Sequence, residues 1–264
     1  MVQALKRHWP EYLMEAAELG AFMIAACAFA VALEHPSSPL REILSVYPRR
    51  ALMGLAMGST AIAIIYSPWG KRSGAHFNPA VTWTFYRLGK IEGWDALFYV
   101  LAQFAGGVLG VIAAILVLGP LVSHPSINYV ATVPGPYGLG VAFAAELLMA
   151  LVMMSMILRV TNHARLARYT GIFAGILVAT FITFENPLSG MSINPARTFG
   201  SAWSGRLWGD LWLYFIAPTL GMALAAELYR CRARATVLCA KLHHENSERC
   251  IFRCGYANRA TIAA

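Results

Sequence analysis

The chain writes one decapeptide twice. "SGAHFNPAVT" runs from Ser73 to Thr82 and "SGMSINPART" from Ser189 to Thr198, which sets Asn78 and Asn194 in the same place 116 positions apart. The surroundings repeat as well. "AAEL" opens an apolar stretch at Ala16–Leu19 and another at Ala144–Leu147. "FYVLAQFAGGVLG" (Phe98–Gly110) matches "LYFIAPTLGMALA" (Leu213–Ala225), with Tyr99 opposite Tyr214, Gln103 opposite Pro218 and Gly106 opposite Gly221. A repeat on this scale means two similar structural units that complete each other.

Composition decides what the units are made of. Hydrophobic residues make up 58% of the 264 and charged residues 13%, with a mean hydropathy of +0.55. A soluble chain of this length carries far more charge. The apolar residues fall in six runs: Leu13–Leu33, Ala51–Tyr66, Ala96–Leu118, Val141–Leu158, Tyr169–Phe184 and Leu211–Leu228. Runs of about 20 residues match a helix crossing roughly 30 Å of hydrocarbon; the second and fifth are short and need polar flanks at the interface. Lys6 and Arg7 before an apolar stretch ending "CAFAVALEH" imitate a signal peptide, but Glu15, Glu18 and the length of the stretch argue against one. The expected fold is an all-α membrane protein with six transmembrane helices. Residues 1–10 and 231–264 flank a domain over 11–230, whose repeats cover about 11–119 and 138–230. Three spans per unit is odd, so the second unit enters from the opposite face. Such inverted repeats place the functional site at the repeat interface.

Each Asn-Pro opens a short helix. Asn is a favoured N-cap, and Pro at the first helical position gives up only an N–H that would be orphaned anyway. About nine residues of plausible helix follow Asn78, and the second copy, Pro195 to Trp203, is similarly short. At 1.5 Å per residue each covers about half the membrane. Two re-entrant half-helices meeting end to end supply a seventh, discontinuous span, and irregular backbone at that depth is tolerated only beside a polar cavity. The Asn oxygens cap their helices, leaving the side-chain NH₂ groups to donate into the cavity. Both positive helix ends point at the midplane. Water there accepts from both asparagines and turns its own hydrogens away, while cations and protons are opposed.

The twin motifs, with Arg197 directly after the second Asn-Pro-Ala (Asn194, Pro195, Ala196; the first is Asn78, Pro79, Ala80), resemble the aquaporin, or major intrinsic protein, family over about residues 12–230. The resemblance implies a six-helix bundle with two re-entrant half-helices, a homotetramer with one pore per subunit, and Glu18 and Glu146 as buried supports. It also implies a constriction containing an arginine. Arg197 fits that arginine and Met191 its neighbour on the same loop; Ile182 falls where water-specific members tend to carry histidine. The second span contributes Met57, or Gly58 on another placement of "SPWGKRSGAH". This rim is apolar with one arginine, and Met is adaptable in shape. Other positions lack the marks of glycerol-conducting members: Thr198 stands where they carry aspartate, and Ser201-Ala202 and Tyr214-Phe215 also differ. Water is the expected permeant, with glycerol, urea and hydrogen peroxide as the broader alternative.

His76 matches the family's loop histidine, either lining the pore or shaping the entrance by a bond to a carbonyl. Lys71-Arg72 departs from the family pattern and reads as solvated charge. Sixteen of the 21 Lys and Arg residues fall on one face if both termini are cytoplasmic, as the positive-inside rule asks; Arg49-Arg50 runs against it. That topology fits a bacterial inner or a plasma membrane. It also accounts for the net charge of +8 through lipid contact, with no nucleic-acid partner. The tail from Arg230 holds Cys231, Cys239, Cys250 and Cys254 with His243 and His244. Those are zinc-type ligands at a spacing that matches no tight finger, and the tail's basic residues suit anionic lipid equally. No metal or cofactor is expected. No Ser/His/Asp set or metal-ligand cluster lies along the spans, which leaves an enzyme reading little support, and no enzyme is expected. A secondary transporter shares the inverted architecture but needs coupling-ion carboxylates; a poorly conducting junction protein is a third reading.

Overall fold

The computed structural model describes residues 1–231, 236–245 and 247–256. Among them there is no strand. The first unit comprises α1 (Val2–Glu34), α2 (Pro39–Ile43), α3 (Val46–Tyr66), α4 (Pro68–Ser73), α5 (Pro79–Arg87) and α6 (Gly93–Leu118). The second comprises α7 (Leu139–Thr161), α8 (Thr170–Phe184), α9 (Asn186–Ser189), α10 (Pro195–Gly205) and α11 (Leu211–Arg230). Five of the long helices are long and apolar enough to cross a membrane. The sixth span, α3, is less apolar because it begins before its apolar run and takes in Arg49 and Arg50. Arg49 is buried there. It pairs with Glu34 at 3.1 Å and donates to the Leu44 carbonyl at 2.5 Å, closing the loop between α1 and α3. That internal partner accounts for a buried charge at the start of the span.

Packing repeats with the sequence. α1 lies along α6, α7 along α11, and α3 meets α8 where the units join. α5 reaches across to α11 and α10 to α6. Small residues make these approaches possible: a Cβ at Gly106 would stand 2.1 Å from the Ala16 carbonyl oxygen, and one at Gly200 would stand 2.5 Å from Gly107 backbone. Backbones this close gain van der Waals contact that lipid cannot offer. Leu116, Val117, Leu109 and Leu55 face outward, as lipid-facing side chains do. Trp83, Trp94, Trp203, Trp208 and Trp212 are also exposed, in keeping with the aromatic belts of membrane proteins.

Candidate functional site

The decapeptides form matching turns. In the first, Gly74, Ala75 and Phe77 have positive φ; in the second, Gly190, Met191 and Ile193 do. Left-handed backbone at four non-glycine residues needs support from its surroundings. Buried carboxylates provide it. Glu146 accepts from the Ser192 and Ile193 N–H groups at 2.7 and 2.6 Å and from the Ser189 hydroxyl at 2.7 Å. In the first unit the work is divided: Glu15 accepts from the His76 and Phe77 N–H groups at 2.9 and 2.7 Å, and Glu18 accepts only from the Ser73 hydroxyl at 2.7 Å. The "AAEL" match pairs Glu18 with Glu146, yet the backbone-holding partner of Glu146 is Glu15. It lies one turn earlier on the same face, and that i, i+3 spacing was the signal in the sequence. The tyrosines pair as aligned: Tyr99 donates to the Ser73 carbonyl at 2.7 Å and Tyr214 to the Ser189 carbonyl at 2.6 Å.

Both asparagines cap. Asn78 Oδ1 accepts from Ala80 N, and Asn194 Oδ1 accepts from Ala196 N and Arg197 N. Their amide groups differ from the sequence expectation of donors wholly free for the cavity. Asn78 Nδ2 donates across the junction to the Ile193 carbonyl at 2.8 Å, and Asn194 Nδ2 to the Phe77 carbonyl at 2.7 Å. Each amide has two N–H groups, so one of each pair crosslinks the two loops and one remains. The reciprocal bonds fix the two half-helix ends against each other.

Asn78 and Asn194 border a cavity of about 120 Å³ between the units. Met57, Ile182, Met191 and Arg197 line it, as does His76; Glu18 and Glu146 do not, being turned to the backs of the loops. Arg197 is its only charged wall residue among those described. Its Nη1 is buried without a protein partner. Thr198 takes no part in the wall. It bonds Thr132 at 2.7 Å and Ser192 at 2.5 Å, bracing the second loop.

The other end of the cavity is bordered by the tail. Leu242 lines it, with its N–H on the Gly74 carbonyl at 3.0 Å. His76 Nε2 donates to the Ala240 carbonyl at 2.8 Å, Nδ1 accepts from Thr82, and the ring stacks between Phe85 and Phe252. Both sequence readings of His76 thus describe one residue, which lines the cavity and ties the mouth. Lys71 and Arg72 are not simply solvated. Lys71 pairs with Glu245 at 2.9 Å, Arg72 with Glu11 at 3.0 Å, and the Lys71 carbonyl accepts from the buried Lys241 at 2.7 Å. The hydrogen bond from Lys71, then that from His243, holds the exposed Glu245 carboxyl below its ordinary range. The tail packs on protein here, where the sequence left lipid as an equal partner: Leu238, Cys239, Ala240, Lys241 and Leu242 are all buried. It also gathers Cys239, His244, Cys250 and Cys254, a grouping that the sequence spacing gave no reason to expect.

An inverted pair of three-span units, joined through two capped half-helices around a narrow cavity whose one charged wall residue among those described is Arg197, defines a membrane channel. The model of the major intrinsic protein family matches residues 3–229, and the chain belongs to that family of channels. It is an integral, multi-pass membrane protein and not an enzyme. It is 35% identical over 69% of its length to a probable aquaporin of Archaeoglobus fulgidus, covering 76% of that protein. It is 36% identical over 66% of its length to a glycerol uptake facilitator-like protein of Lactiplantibacillus plantarum, covering 81% of it. The solved aquaglyceroporin of Plasmodium falciparum shares the fold with a TM-score of 0.67 at 20% identity, over 85% of this chain and 96% of that one.

Proposed function

We propose that the chain is a passive water channel that turns back protons and ions, with Met57, Ile182, Met191 and Arg197 as its selectivity constriction. The observation that carries this is the junction of Asn78 and Asn194. Each keeps one N–H beyond its crosslink, at the place where the N-termini of α5 and α10 meet. A water accepting there cannot also pass a proton along its chain, and the converging helix dipoles add a positive potential that repels cations. The wall carries no carboxylate among the described residues. That disfavours an ion-coupled transporter, whose site needs oxygen ligands for its ion. The apolar rim favours water and small neutral solutes over anything that needs several hydrogen bonds. The wider solute range stays as the second reading, because the rim lacks a histidine at Ile182 and a glycerol facilitator-like protein is among the relatives.

In this reading both termini are cytoplasmic, the chain sits in a bacterial inner or a plasma membrane, and four copies assemble with one pore each. The channel unit is 11–230, with its repeats at about 11–119 and 138–230, and 231–264 is its tail. The test is stopped-flow light scattering on proteoliposomes of wild type, Arg197→Val and Leu242→Gly. Fast shrinkage in an impermeant osmolyte with slow re-swelling in glycerol or urea is expected for the wild-type rim. Fast re-swelling in glycerol or urea moves the reading to the broader solute channel. Shrinkage no faster than empty vesicles in all three proteins refutes an open pore.

A further inference from the structure

The tail holds a cluster that channel architecture does not require. The ligand atoms of Cys239, His244, Cys250 and Cys254 all lie within 4.8 Å of one another. Cys239 Sγ and Cys250 Sγ are 3.5 Å apart, and Cys254 Sγ is 3.2 Å from His244 Nε2. Thiolate and imidazole ligands about 2.0–2.3 Å from one zinc ion stand roughly 3.3–3.8 Å from each other at the corners of a tetrahedron. The cluster therefore closes on an ion with adjustments of about an ångström at its longest edge. The neighbouring residues take no share: His243 turns to Glu245 at 3.2 Å, and Cys231 is exposed at the end of α11.

A crosslink has a physical task here. Over 236–245 and 247–255 the chain forms no helix or strand, yet it buries Leu238 through Leu242 against the mouth of the cavity. Irregular segments with little core of their own are held by disulfides or by a metal. A disulfide joins two of these sulfurs and leaves the third and the imidazole unused, whereas a tetrahedral ion uses all four. His244 stacks on Tyr256 with centroids 4.3 Å apart, which orients its ring. The buried Lys241 ammonium, fixed on the Lys71 and Arg249 carbonyls, offsets the negative charge that three thiolates and one divalent ion leave over.

We propose that Cys239, His244, Cys250 and Cys254 bind one zinc-class divalent ion, and that this ion fixes residues 238–245 and 247–254 as a cap on the mouth lined by Leu242. The binding claim stands on the tail alone. Its consequence for permeation rests on the water-channel reading, so the test avoids measuring flux.

Reduced, metal-free full-length protein in detergent is titrated with cobalt(II), then with zinc(II). Amide hydrogen exchange across the tail is followed with and without zinc. The expected result is one cobalt per chain with the intense visible absorption of a tetrahedral thiolate site, displaced by zinc, and slower exchange over 238–254 once zinc is bound. The paired substitution Cys250→Ser and Cys254→Ser should weaken binding by more than the roughly 10–100-fold that losing an outer-shell partner costs, and Cys231→Ser should leave it intact. Weak octahedral-type absorption, or a mass loss of two hydrogens without metal uptake, overturns the site in the wild type itself, whatever the variants do. Equal binding by the paired variant also overturns it. Tetrahedral binding with unchanged exchange refutes the cap.

Discussion

The two re-entrant loops share a skeleton and differ in what hangs on it. Each has a capping asparagine, a left-handed turn, a serine bonded to a carboxylate and a tyrosine on that serine's carbonyl. In the second unit Glu146 alone holds two N–H groups and a hydroxyl. In the first, Glu15 and Glu18 share the task. Gln103 adds a bond to Glu15 at 2.7 Å from the position that Pro218 occupies in the other half. The first loop faces the tail through His76; the second presents Arg197 to the cavity. The lesson is a division of labour. What is symmetric makes the junction; what is asymmetric makes the two ends differ, and in the proposed function it makes one end an entrance and the other a filter.

The largest effect that tests this division is at Glu146. Replacing it with alanine leaves two buried N–H groups without an acceptor, at about 1–3 kcal/mol each. Thermal unfolding in detergent should show a loss of that combined size together with lost water flux. A loss below about 1 kcal/mol would mean the loop holds itself. Next come Glu15→Ala and Glu18→Ala side by side. The first removes two backbone contacts and the bond from Gln103, and the second one hydroxyl contact, so Glu15→Ala should cost about two to three times as much. Equal losses would return the supporting role to Glu18.

Leu242→Gly opens the tail-side mouth without touching either asparagine. Osmotic water permeability should rise several-fold, and glycerol exclusion, assigned to the opposite rim, should stay. Glycerol entry in this variant would place selectivity at the wrong end. The smallest effect probes the shared skeleton. Tyr99→Phe and Tyr214→Phe each delete one buried hydrogen bond and should each cost about 1 kcal/mol. Values that differ by more than that would show that the two halves are not mechanically equivalent.

Much of the fold is written locally, which is why the sequence carries it. Apolar runs near membrane length give the spans, and Asn-Pro marks where α5 and α10 begin, with α5 nine residues long as expected. The helix ends are less legible, because α1 and α3 extend through charged residues that find protein partners: Glu11 meets Arg72, and Arg49 meets Glu34. Of the site, the paired asparagines and Arg197 are readable from the motif. Glu15 was hidden behind the more conspicuous "AAEL" match. The tail is illegible for a different reason. Its contacts, such as Ala240 with His76 and Lys241 with the Lys71 carbonyl, join residues far apart in the chain without any periodic pattern. Nor do its four gathered ligands follow a spacing that a motif describes.

The central claim is that the crosslinked asparagine junction passes water while breaking proton transfer. The most direct measurement records both in the same vesicles: osmotic shrinkage by light scattering, and internal pH by a trapped dye under an imposed proton gradient, for wild type and Leu242→Gly. The account predicts water permeability well above that of empty vesicles, higher still in Leu242→Gly, with proton leak indistinguishable from empty vesicles throughout. Proton entry that rises in step with water flux would contradict it.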